Sequence, residues 1–148
     1  MGYADQWKRV LRWLERIEAT PRNSTEYDDF IWAFFQNCWH MKDWIKNDQL
    51  LSSSFRSGIE GMALRERSLR VCADLANGTK HFELQKPKNG AGAKHSHRVL
   101  KVVAGDSSKT QIDYFLMLGD GSQVNARAIA REAVEAWRRL LTAEGLAT

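Results

Sequence analysis

Several residue types that define whole classes of protein are scarce in this sequence. Two cysteines, two prolines and ten glycines in 148 residues exclude a disulfide scaffold and a disordered or collagen-like chain. No run of about 20 apolar residues is present, so no membrane-spanning helix is predicted. The first residues are amphipathic and charged, which argues against a signal peptide. We therefore expect a cytoplasmic protein, without a membrane partner, whose two thiols are free and buried.

The residues that are present describe one ordinary domain over 1–148. Hydrophobic residues make up 43% of the chain, and six tryptophans are among them, so a sizeable core can be buried. Charged residues make up 27%, which is typical of a folded domain with a hydrated surface.

Hydrophobic periodicity predicts that the first half of the chain is helical. Apolar residues recur at three- and four-residue steps over three segments, at about 4–19, 26–47 and 59–77. The segment at 26–47 is apolar on nearly all sides, so either other helices or a second subunit must cover it on more than one face.

Local signals predict where these helices begin and end. Thr20-Pro21 ends the first, because the residue before a proline avoids the helical region. Ser24 or Thr25 can cap the second. A serine-rich connection is predicted at 50–58, and Gly78 is well placed to end the third helix in the left-handed conformation.

After Gly78 the period of the hydrophobic pattern changes from 3.6 to 2. Alternation predicts short strands within an insertion at about 81–121, namely 81–85, 99–103 and 112–118. A last helix is predicted at about 125–142, with Asn125 as its cap. The predicted fold is α+β and mainly helical: a three-helix N-terminal part, a small antiparallel sheet of about three strands, and a C-terminal helix that packs back.

Positive charge is concentrated in one stretch. Residues 85–109 contain six basic residues and one acid, a local charge of +5, so the rest of a chain of net charge +4 sums to −1. This stretch includes a glycine-rich loop predicted at 86–98. Either the loop is a hydrated hairpin connection, or it binds a phosphate backbone. The candidate nucleic-acid-binding residues are Lys86, Lys88, Lys94, Arg98 and Lys101.

A second polar group lies where the third helix meets the first strand. Lys80 and His81 follow Gly78 at the predicted end of the third helix, where the helix dipole stabilises positively charged side chains. The alternative is a pocket in which His81 acts as acid or base and Lys80 stabilises negative charge. Asp74, Asn77 and His40 are the further candidates for this pocket.

The stretch 74–81, DLANGTKH, resembles the end of a central helix in the HEPN superfamily. The resemblance covers about 26–81 and the last helix, and it implies a small helical bundle, often dimeric. Many members are metal-independent ribonucleases of toxin–antitoxin and phage-defence systems. The family's catalytic arginine precedes its histidine by four to six intervening residues. Here Ala76, Leu75 and Asp74 occupy those positions, so the signature is not intact.

His95 and His97 stand at alternate positions of a predicted strand and could share a metal ion with His81. Because no acidic or cysteine ligand lies near them in sequence, we predict neither a metal site nor a cofactor.

Three tryptophans of the second helix lie off its core stripe. They either fill space beneath the sheet or form an exposed patch that pairs two subunits, since aromatic residues are enriched in interface cores. These candidate interface residues are Trp32, Trp39 and Trp44.

We therefore expect a HEPN-like protein that binds or acts on nucleic acid, with RNA favoured over DNA. A homodimer and a cognate protein partner are also expected. The alternative is a non-catalytic interaction module that uses the tryptophan-rich helix face.

Overall fold

The structure is a computed structural model that describes residues 1–78, 93–102, 110–118 and 122–148. For the strand residues 93–102, 110–113 and 117 it describes the backbone. Within these ranges no helix has both the length and the apolar character needed to cross a bilayer.

The described part of the chain confirms the predicted α+β fold, mainly helical with a small sheet. Its helices are α1 Tyr3–Ala19, α2 Glu26–Asn47, α3 Ser53–Ala63, α4 Arg67–Gly78 and α5 Ala126–Ala143. Its strands are β1 Ala93–Val102, β2 Thr110–Leu118 and β3 Gln123–Asn125. The strands pair antiparallel in the order β1-β2-β3, and α5 packs back against α1, α2, α3 and α4.

Helix α2 is the centre of the core. Helices α1, α3, α4 and α5 all contact it, so helices of the same chain provide the cover that its apolar surface requires. Six residues at three- and four-residue steps form one buried face of α2, namely Tyr27, Ile31, Phe34, Cys38, Met41 and Ile45.

Two buried contacts join α2 to its neighbours. The Cys38 and Cys72 sulfurs lie 3.7 Å apart between α2 and α4, and both cysteines are free, as predicted. Burial raises the pKa of the Cys72 thiol well above its usual value, which keeps the thiol protonated. The indole Nε1 of Trp137 in α5 donates to the Cys38 carbonyl oxygen at 3.0 Å.

The helix ends follow the local signals with one variation. The amide of Thr20 donates to the Arg16 carbonyl and closes α1. Thr25 occupies the N-cap position of α2 without a side-chain bond, while the Ser24 hydroxyl accepts from the Glu26 amide at 3.3 Å. The Asn125 side chain caps α5, as predicted, by accepting two amide hydrogen bonds.

The predicted connection at 50–58 was wrong, because α3 begins at Ser53. The Ser52 hydroxyl accepts from the Phe55 amide at 3.3 Å and caps the helix. Phe55, Ile59 and Ala63 are buried at four-residue spacing and form the inner face of α3.

The single helix predicted at 59–77 is two helices, since residues 64–66 interrupt it. Arg70 Nη1 donates to the carbonyl oxygens of Leu64 and Arg65, at 2.9 and 3.1 Å. These bonds satisfy carbonyls at the end of α3 that a continuous helix would have paired with its own amides.

The sheet differs from the prediction in its strands. The strand predicted at 81–85 lies outside the described residues, and β3 was not predicted. Strand β1 starts at Ala93, earlier than the predicted strand at 99–103. Alternate residues of β2 are buried, namely Tyr114, Leu116 and Leu118, and β2 contacts α5.

Candidate nucleic-acid interface

The predicted polar pocket is described only in part. Lys80 and His81 lie outside the described residues. On α4, Asp74 is fully buried and its side chain has a partner. Asn77 on the same helix is half-buried. His40 on α2 is half-buried and also has a partner.

Cys38 and Cys72 make a contact between α2 and α4. His40 follows Cys38 by two residues and Asp74 follows Cys72 by two, a rotation of about 200° along a helix. A helical projection therefore places neither His40 nor Asp74 on the cysteine side of its helix, and each of the two side chains has a partner.

The basic stretch is partly strand, which corrects the predicted loop at 86–98. Lys86 and Lys88 lie outside the described residues. Lys94, Arg98 and Lys101 belong to β1, where Arg98 is paired with Tyr114 and Lys101 with Gln111 in the register of β2.

The same register locates the two strand histidines. His95 is paired with Met117 and His97 with Phe115. Among the described residues, no three histidine, cysteine or acidic side chains are grouped so that they could hold a metal ion.

Of the two alternatives for the tryptophans, burial favours an interior position for Trp39, which is 4% exposed. Four helices cover α2, so a residue to the side of its main stripe is buried as well. Trp32 is half-buried and packs on the core, and Trp44 is half-buried. Of the large hydrophobic residues in the described ranges, those that count as exposed are Met1 and Leu50.

Sequence reasoning missed a set of arginines that lie over aromatic rings between α1 and α2. The Arg9 guanidinium carbon is 5.4 Å from the centre of the Trp44 ring. That of Arg16 is 4.8 Å from Trp13 and 5.8 Å from Phe30. All three rings are half-buried, so each keeps part of its surface in water. Cation–π attraction explains why the guanidinium groups lie there.

Arg9, Arg12 and Arg16 form what we call the arginine row. At about 100° per residue they fall within about 60° of one another on α1, and the row is about 10 Å long. Within the described part of the chain none of the three has a carboxylate partner. Arg9 Nη1 donates to Gln6 Oε1 at 2.6 Å. The spacing of three and four residues was visible in the sequence and predicts a shared face.

The opposite flank of α1 has its charges neutralised. Glu18 accepts from Arg127 Nε at 2.9 Å and from Arg131 Nε at 2.6 Å, both on α5. Hydrogen bonds from Arg131 and Arg127 lower the pKa of Glu18 from 4.5 to about 2. This three-residue cluster ties the end of α1 to the start of α5.

Two other cations lie over aromatic rings, and each is paired with a carboxylate. Lys42 is 5.1 Å from the Trp39 ring, and its Nζ is 2.6 Å from Asp43 Oδ1. Arg138 is 5.9 Å from the Trp7 ring and forms a salt bridge with Glu135.

A cleft of about 300 Å³ lies between the start of α4 and α5. Its lining holds as many carboxylates as guanidinium groups, and Glu66 pairs there with Arg139 at 2.8 Å. A second cleft of about 280 Å³ lies beside Trp44 and is lined by Asp43 and Asp48. The lining of neither cleft carries an excess of positive side chains.

No family model, curated protein or solved structure matches this chain. The resemblance to the HEPN superfamily stays a prediction.

Proposed function

We propose that this chain is a HEPN-like protein that binds nucleic acid, RNA in preference to DNA, through the basic stretch at 85–109. The observation that carries the proposal is the concentration of a charge of +5 in this stretch, while the rest of the chain is close to neutral. Each phosphate that a basic residue neutralises releases condensed counterions, which favours binding.

The part of the stretch that lies in β1 supports the same proposal. Lys94, Arg98 and Lys101 belong to β1, whose backbone is paired with β2 over most of its length. A backbone that is already ordered loses less entropy when a ligand binds. We therefore assign these three residues to the phosphate contacts, together with Lys86 and Lys88.

We propose binding without cleavage. Arg70 is the arginine nearest before His81, but it lies in the first turn of α4 and its guanidinium donates to the Leu64 and Arg65 carbonyls. It is thus engaged at the end of α4 opposite to the one that His81 follows. A partner role in a toxin–antitoxin or phage-defence system is the setting we propose.

The alternative interaction module loses support from the burial of Trp39. A docking face needs its anchor residues at the surface, and Trp39 is 4% exposed. The charge of the basic stretch therefore favours nucleic acid over a protein partner at the tryptophans.

Binding is tested by fluorescence anisotropy with labelled single-stranded and duplex RNA and DNA at about 50 mM salt. We expect the variant in which Lys86, Lys88, Lys94, Arg98 and Lys101 are all changed to Gln to bind at least about tenfold more weakly than the unchanged protein. The matched control is Arg65→Gln with Arg67→Gln, which removes positive charge at two exposed positions elsewhere.

The proposal is wrong if the unchanged protein binds no nucleic acid, or if the control variant weakens binding as much as the five-residue variant. Gel analysis of the same RNA after incubation tests whether the protein binds RNA without cleaving it. RNA cleaved by the unchanged protein and left intact by His81→Ala at an unaltered melting temperature would contradict binding without cleavage.

A further inference from the structure

We propose that the arginine row of α1, with the rings of Trp13, Phe30 and Trp44, is a second nucleic-acid contact that takes unpaired nucleotides. The inference rests on the proposed function for the chemical class of the partner. It concerns residues far in sequence from the basic stretch, on helices whose side chains the structure describes.

The first argument is charge. Arg12 and Arg16 are exposed, and no carboxylate of the described residues pairs with them or with Arg9. Two acids lie near the row on α1. The Asp5 carboxylate accepts from the Gly2 amide at 3.1 Å and so serves the helix start, while Glu15 is exposed three residues after Arg12 and forms no salt bridge with the row. The row therefore presents positive charge that the fold leaves available.

The second argument is the way in which Arg16 is held. Its guanidinium carbon lies 4.8 Å from the centre of the Trp13 ring and 5.8 Å from that of Phe30, while the residue is exposed. An arginine that rests against aromatic rings and is still reached by water can donate its N–H groups to a phosphate. Preorganisation of this kind lowers the entropy lost on binding.

Together these features select single strands over duplexes. Bases splayed out of a strand stack on aromatic rings and on arginine planes, whereas the bases of a duplex are stacked on one another. A row about 10 Å long with rings beside it matches a few unpaired nucleotides rather than a groove.

The contrast with the other cations over aromatic rings strengthens the assignment. Lys42 and Arg138 are each neutralised by a neighbouring carboxylate. Stabilising an aromatic ring thus does not require an unpaired cation in this fold. The absence of such partners along the row is the feature that a polyanion explains.

The test compares the variant Arg9→Gln, Arg12→Gln, Arg16→Gln with the unchanged protein in anisotropy titrations. The probes are a labelled oligouridine of about 15 nucleotides, the matching DNA strand and an RNA duplex. We expect the variant to bind the single strands at least about tenfold more weakly and to lower the slope of log K against log salt by about 2. Affinity for the duplex should change less.

Arg138→Gln is the matched control, since it removes an arginine that lies over a ring but is already paired. It should leave single-strand affinity within about twofold. If the triple variant does not fold, Arg12→Gln alone replaces it. Arg12 is exposed, and no hydrogen bond, ion pair or ring contact of its side chain with the described residues is lost.

Two results would overturn the inference while the proposed function stands. In the first, the unchanged protein binds RNA and the row variants bind as tightly as it does. In the second, the row variants lose duplex and single-strand affinity equally. A protein that binds no nucleic acid at all would instead overturn the proposed function.

Discussion

The two flanks of α1 treat their charges in opposite ways. On the flank that faces α5, Glu18 is bound by both Arg127 and Arg131. On the flank beside α2, Arg9, Arg12 and Arg16 have no carboxylate partner in the described part of the chain. One helix therefore carries a neutralised side and a positively charged side.

The two flanks of α1 are expected to serve different purposes, one the stability of the fold and the other binding. A charge cluster that spans two helices stabilises the fold because both partners are held in place. Unpaired exposed arginines add little to stability, and like charges in a row repel one another. Substitutions on the α5 side should thus affect unfolding, and substitutions on the α2 side should affect binding.

The largest expected effect is at Trp137, on the α5 side. Trp137→Phe leaves a cavity at a fully buried position and removes the donor to the Cys38 carbonyl, so it should cost about 2 kcal/mol of unfolding free energy. Trp13→Phe, at a half-buried ring beside the arginine row, should lower the unfolding free energy by less than about 1 kcal/mol. Urea unfolding measures both, and equal costs would break the comparison.

Glu18→Gln should have the next largest effect. The pKa of Glu18 is lowered from 4.5 to about 2, and its side chain is 29% exposed, so we discount the full shift for solvent screening and expect a loss of about 1–2 kcal/mol at neutral pH. Because the folded-state pKa is the lower one, this stability is present above pH 4.5 and is lost as the pH falls toward 2.

Melting temperatures measured from pH 7 to pH 2 test whether the effect of Glu18→Gln is electrostatic. The difference in melting temperature between the unchanged protein and Glu18→Gln should be constant from pH 7 down to about 5 and vanish near pH 2. Glu15→Gln, at an exposed position of the same helix, should change the melting temperature little at pH 7. A difference for Glu18→Gln that persists at pH 2 would contradict an electrostatic origin.

The smallest expected effect on stability is at Arg12. Arg12→Gln should change the unfolding free energy by less than about 0.5 kcal/mol, since the residue is exposed. The same change should lower the salt slope of single-strand binding by about 0.7. A large loss of stability with unchanged binding would reverse the roles of the two flanks.

The helix boundaries set by short-range signals could be predicted from the sequence. Helix α2 begins and ends where periodicity predicted, and Thr20-Pro21 and Asn125 act as boundary and cap. Helix α3 was missed because serines are frequent in loops. Here Ser52 is a cap, and the four-residue spacing of Phe55 and Ile59 was the signal to use.

The candidate site could be predicted less well from the sequence than the fold, because contacts between helices depend on how the helices cross. A helical projection placed Trp39 off the core stripe but could not show that further helices cover that side. It likewise could not show that Arg16 lies over Phe30, a residue of another helix. The predicted pocket at Lys80 and His81 stays a prediction.

The most direct test of the account is an NMR titration of ¹⁵N-labelled protein with the single-stranded oligouridine. We predict that signals of the arginine side chains of the row and of the Trp13 and Trp44 indoles shift, while those of Arg138 and Trp137 do not. Shifts confined to the basic strand β1, or centred on α5, would contradict a binding face on the α2 flank of α1.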